Sequence, residues 1–166
     1  MFRSPWLFPV PIDPFNLNHK RNIRNTPKAA YNCGGFALGT FSWYCPHNEK
    51  IDKEYGGNYY CFNEADALAI TKRSVETMLS DFAGRLRVIN TVTEANLQSE
   101  YVVAFRIAPN EDDFHFIRRG CQGNWYHKLG GRETIEQMDE LEVFSEDWVF
   151  DSMHYNGPLV LFAVTR

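Results

Sequence analysis

The 166 residues carry a net charge of −4, with 44% hydrophobic, 23% charged and 15% aromatic content, the profile of one globular domain able to bury about 70% of its unfolded surface. An acidic balance without RNP-like, zinc-finger or basic-zipper patterns argues against nucleic-acid binding. No apolar run approaches the roughly 20 residues of a membrane-crossing helix, and Pro5, Pro9, Pro11 and Pro14 interrupt the stretch where a signal peptide would hold its apolar core. The expectation is a single domain over 1–166 with no membrane partner, cytoplasmic or phage-associated, with export by another route left open.

Residues 1–28 read as an arm rich in proline and aromatics, in which Phe2, Trp6, Phe8 and Phe15 alternate with prolines. Disordered tails are poor in aromatics, so this arm is expected to be pinned against the body, residues 29–166. Lys20, Arg21, Arg24 and Lys28 form a basic patch that reads as a solvated face.

The informative stretch follows: Tyr31-Asn32-Cys33-Gly34-Gly35-Phe36-Ala37-Leu38-Gly39. Asn32 suits an N-cap, which places Cys33 in the first turn of a helix. Free N–H groups and the helix dipole there favour a thiolate, so Cys33 is expected to titrate low. Gly34, Gly35 and Gly39 each cost a helix about 0.8–1 kcal/mol relative to alanine. They predict that another backbone, or a substrate, comes very close.

Asn63 then opens the clearest helix, with an apolar stripe of Leu68, Val75, Leu79 and Phe82, and Gly84 ends it. From there the pattern turns to strands. Leu86–Ile89 is short, Thr93–Leu97 reads as a single helical turn, and Tyr101–Ile107 is a continuous run of β-formers that suits a central strand. Phe114–Arg118 and Asn124–Lys128 pair across a turn bracketed by Gly120 and Gly123. The acidic segment 133–147 is expected to be helical around Ile135–Leu141, and Leu159–Thr165 closes the domain. Helices followed by strands give α+β, with a mainly antiparallel sheet.

A three-residue loop closed by Arg119 and Gly123 places Ile117 opposite Trp125 and His115 opposite His127, both on one face. A loop one residue shorter or longer separates the histidines. Two imidazoles in contact suit a base that takes a thiol proton and a partner that fixes the base's ring. Asp112 and Asp113 on the preceding turn are a carboxylate pair within possible reach of His127.

Asn32-Cys33-Gly34-Gly35-Phe36 resembles the Asp-Cys-Ser-Gly-Phe nucleophile motif of NlpC-like, papain-fold cysteine peptidases. In that family a histidine begins a strand after the central helices, and a third catalytic residue follows about a dozen positions later. The resemblance implies a papain-like fold with Cys33 as nucleophile, His115 as general base and His127 as the residue orienting it. Tyr31 is a candidate for polarising the substrate carbonyl; Trp125, by its residue type, suits core packing first and walling the cleft second. Asn32 stands where the family has aspartate, and Gly34 where it has serine. The implied activity is hydrolysis of a peptide or cell-wall-type amide. The alternatives are an acyltransferase on the same site and a non-enzymatic binding module on the same fold.

Cys45, His47, Cys61 and Cys121, with the two hairpin histidines, would suit zinc in number. Structural zinc sites, however, show cysteines paired two to four residues apart, and no such pair occurs. No metal is expected, and the four cysteines are expected to be free thiols. Nor does a phosphate-cradling glycine loop or a Gly-x-Ser-x-Gly elbow appear, so no cofactor is expected.

Overall fold

The computed structural model describes residues 31–46, 64–109, 113–132 and 134–166. The N-terminal arm, His47, Cys61, Asn63 and Asp112 lie outside them. The order is α1 (Cys33–Ala37), α2 (Glu64–Asp81), β1 (Leu86–Ile89), a 3-10 turn (Val92–Glu94), β2 (Glu100–Ala108), β3 (Asp113–Arg119) and β4 (Trp125–Lys128). Then come β5 (Ile135–Met138), α3 (Glu140–Val143), β6 (Trp148–Phe150), β7 (Met153–Tyr155) and β8 (Val160–Thr165). This is an α+β fold. Six strands form one sheet in the order β1-β8-β2-β3-β4-β5, while β6 and β7 form a separate hairpin. Every pairing is antiparallel.

Strand β2 is central, and all its residues but the first are buried. Its alternate side chains feed two cores. Val103, Phe105 and Ile107 pack with Phe116, Phe162, the helix residues Ile70 and Met78, and Cys33 on one face. Val102, Ala104 and Ala108 pack with Ile117, Trp125, Trp148 and Tyr155 on the other. The sheet is therefore a middle layer, with α1 and α2 on one side and the β6–β7 hairpin on the other.

Two expected elements differ. The stripe of α2 is rotated: Ala67, Ile70, Thr71, Ser74 and Met78 are buried, Val75 and Leu79 are its flank, and Leu68 is exposed. Small polar residues fill the close-packed line, which hydropathy alone does not mark. The segment around Ile135–Leu141 is edge strand β5 followed by the one-turn α3, because Ile135–Met138 completes the ladder on β4.

Helix α1 is short because its glycines serve close contacts. Asn32 Oδ1 accepts from Gly35 N and Tyr44 N, each at 3.0 Å, and Asn32 Nδ2 donates to Tyr44 O at 2.6 Å. An aspartate at 32 could not make that last bond. Gly39, at φ +70, ends the helix in the left-handed region and turns the chain back across α1. A Cβ on Gly35 would lie 1.8 Å from Ser42 O, and one on Gly34 3.1 Å from Tyr44 O. A serine at 34 would crowd Tyr44 and the Phe116 ring, which would have to shift by a few tenths of an ångström.

Two buried cations clamp α1 to the sheet. Lys128 Nζ donates to Tyr31 O at 2.6 Å and Gly130 O at 2.5 Å, and lies 4.9 Å from the Tyr31 ring centroid. At the other end Arg118 donates to Ala37 O at 3.2 Å and stacks 3.5 Å over the Tyr101 ring.

Gly35→Ala is expected to destabilise the protein by about 3 kcal/mol, the upper end for overpacking. The unfolding midpoint should drop by about 6–12 °C. Gly131→Ala, whose Cβ would meet only the Trp43 ring at 4.0 Å, should leave the midpoint almost unchanged in the same thermal melt.

Candidate active site

The hairpin that carries the histidines is closed by Gly120 N donating to Asn124 O at 2.7 Å and Gly123 N to Gly120 O at 3.1 Å. Gly123, at φ +91, takes the left-handed position such loops need. The three-residue loop is therefore 121–123, one residue later than expected. Ile117 faces His127 and Arg119 faces Trp125, which overturns the expected pairing of Ile117 with Trp125. Because the loop length is unchanged, the face is unchanged. His115 and His127 become diagonal neighbours instead of direct ones, and their rings still meet. His115 Nε2 and His127 Nδ1 share a hydrogen bond at 3.0 Å, with the rings edge to face at a centroid distance of 5.1 Å. Phe150 covers both, at 4.8 Å and 4.5 Å between centroids.

Cys33 approaches from the opposite layer. Extending the β3–β4 register would set residue 129 opposite His115, but β4 ends at Lys128. The gap left there is the floor of a cavity of about 380 Å³ bordered by Asn32, Cys33, His115, Gly130 and Gly131. Cys33 and His115 thus reach one space from two faces of the sheet. The thiol itself lies 4.0 Å from the Phe114 carbonyl oxygen, its hydrogen-bond acceptor.

The surroundings of that space differ in part from expectation. Tyr31 is fully buried, edge to face with Phe41, and Trp125 is 1% exposed in the lower core beside Phe144. Neither borders the cavity, so neither can touch a ligand in it. Trp43, 61% exposed, and Tyr155 border it instead. Tyr155 donates to Asp113 Oδ2 at 2.8 Å, and Asp113 Oδ1 accepts from Phe114 N at 2.8 Å. Asp113 therefore serves Tyr155, not His127. The carboxylate facing His127 is Glu136, its direct partner on β5, with Oε2 3.8 Å from His127 Nε2. Local sequence could not find Trp43 or Tyr155, because a cavity-lining aromatic and a core aromatic have the same signature.

Burial governs the charges. It pushes the Cys33 thiol up to about 12, with Asp113 adding to the rise; the backbone of Phe116 and Gly34 pulls the other way and loses. The expected low thiol pKa is thus reversed. A five-residue helix offers little dipole, and only 4% of Cys33 meets solvent. Burial also lowers His127 to about 4 and holds His115 well below its usual value, with the neighbouring imidazole contributing. At neutral pH the group is a thiol and two neutral imidazoles. No cluster of three metal-ligating side chains forms among the described residues. Among the described residues, Cys33, Cys45 and Cys121 form no disulfide.

A histidine with a lowered folded pKa binds fewer protons than its unfolded counterpart, so stability is full above about pH 6.5 and falls as pH drops toward 4. His127 alone should contribute about 3 kcal/mol to that fall, and His115 acts in the same direction. Urea unfolding measured from pH 7 to 4 should show this slope, and His127→Leu should flatten it.

No protein-family model, curated protein or solved structure matches the chain, which leaves the site's own geometry to carry the functional conclusion.

Proposed function

We propose that this chain is a papain-like cysteine hydrolase that cleaves an amide bond in a peptide or cell-wall-type substrate, with Cys33 as nucleophile, His115 as general base and His127 orienting the base. One observation carries the reading: Cys33 and His115 border the same cavity while His115 Nε2 is held by His127. That bond leaves Nδ1 as the nitrogen able to take a proton.

His115 Nδ1 removes the Cys33 proton as sulfur bonds to the substrate carbonyl carbon, and the carbonyl π electrons move to oxygen. Backbone N–H groups at the start of α1 would receive that oxyanion. Its collapse re-forms C=O and breaks the C–N bond, and the amine leaves with the proton from His115. Water then attacks the thioester, again with His115 as base, and releases the acid and the thiol. A neutral imidazole is already in the form a base requires. Proton transfer from the buried thiol is uphill in the free protein, so activation has to accompany substrate entry. The imidazolium formed beside it favours the thiolate at that point.

The same burial favours a second reading, a papain-like domain used for binding, in which a protonated Cys33 is only core. Incubation with p-nitrophenyl acetate and mass mapping of the acetyl group separates the two. The hydrolase reading expects acetylation at Cys33, loss in Cys33→Ala, and slowing by about a hundredfold in His115→Ala. Acetylation of Cys33 no faster than that of Cys121, and indifferent to His115→Ala, would assign the domain to binding.

A further inference from the structure

The His115–His127 bond has a direction that the two rings do not decide between themselves. Both are neutral at pH 7, so one nitrogen in the pair donates and the other accepts. If His115 Nε2 carries the hydrogen, Nδ1 is bare and can take the thiol proton. If His127 Nδ1 carries it, His115 must hold its own hydrogen on Nδ1, and it cannot act as a base toward Cys33. The choice passes to the far nitrogen of His127. In the competent arrangement His127 Nε2 carries a hydrogen and needs an acceptor; in the incompetent one that nitrogen is bare and would face an acceptor with no proton between them.

Resting on the hydrolase reading, we propose that Glu136 is a positioning residue: its carboxylate holds the hydrogen of His127 on Nε2 and so keeps His115 Nδ1 free to receive the Cys33 proton. Four observations converge. Glu136 is the direct cross-strand partner of His127, so both side chains stand on one face of the sheet. Its Oε2 lies 3.8 Å from His127 Nε2, the nitrogen not used toward His115. Of the two carboxylates that border the cavity, Asp113 has both oxygens engaged, by Phe114 N and Tyr155, and Asp151 pairs with Arg132. Phe150 lies against both imidazoles, which hinders water from replacing the carboxylate. At 3.8 Å the carboxylate and the neutral His127 ring stand beyond a closed hydrogen bond. Glu136 is half exposed on an edge strand. Positive charge arriving on His115 during catalysis is shared toward His127 and draws the carboxylate in.

The test uses full-length protein with ¹⁵N-labelled histidine, in which ring nitrogens that carry a hydrogen are told apart by long-range proton–nitrogen correlation at pH 7.5. The wild type should show both His115 and His127 protonated on Nε2. Glu136→Gln retains an oxygen acceptor and should retain both tautomers. Glu136→Leu removes the acceptor; His127 should then populate the Nδ1–H form, His115 should follow it, and acetylation of Cys33 by p-nitrophenyl acetate should slow by about tenfold or more. A purely structural role for Glu136 would slow the two variants alike and leave the tautomers in place. Unchanged tautomers in Glu136→Leu, or Nδ1–H on His127 in the wild type, would overturn the assignment to Glu136. The underlying hydrolase reading fails on a different measurement, an acetylation rate at Cys33 that His115→Ala leaves unaltered.

Discussion

Two buried cations hold the cysteine helix against the sheet, and the rest of the site depends on that grip. Lys128 seizes the backbone just before the helix, through Tyr31 O, and Arg118 seizes its last turn, through Ala37 O. Burying a charge without partners costs several kcal/mol, so each cation demands carbonyl oxygens, and it finds one at an end of α1: Tyr31 O ahead of it and Ala37 O in its last turn. Lys128 also binds Gly130 O and shapes the chain where β4 gives way to the cavity. A five-residue helix has little stability of its own. Its place is set by these contacts, by Asn32 binding Tyr44, and by glycines that let Ser42 and Tyr44 lie on it.

The same burial that gives the site its geometry sets its chemistry. A thiol at a helix start is usually discussed as an activated group, but activation requires that the anion be better solvated by the protein than by water. Here apolar neighbours outweigh the few N–H groups available, and the thiol stays protonated while both imidazoles stay neutral. Two neutral imidazoles have no ion pair to fix the direction of the hydrogen bond between them. Direction has to come from an acceptor at the end of the chain of groups, the role proposed for the half-exposed Glu136 on its edge strand.

Sheet parity explains how an error in register left the histidines together. Moving a three-residue loop by one position changes which residues face each other but keeps odd with odd across the hairpin. His115 and His127 go from opposite to diagonal, a distance that two imidazoles still span. A change of loop length would have put them on different faces and dissolved the pair.

By itself the sequence determined the α+β order, the central strand around Val103, the N-cap at Asn32, the close approach at the glycines, and the shared face of the two histidines. These follow from local rules: period, capping geometry and the two-residue repeat of a strand. Tertiary structure decided the rest. Whether Trp125 or Trp43, and Tyr31 or Tyr155, borders the cavity depends on which layer covers each ring, and an aromatic side chain carries no mark of that. The phase of the α2 stripe turned on Thr71 and Ser74, small enough to pack where hydropathy gave no sign. The strand at Ile135–Met138 forms because β4 offers it an edge. Most of all, the titration of Cys33 depends on every apolar group gathered around it. That sum of desolvation is a property of the assembled core, and no neighbour in the chain announces it.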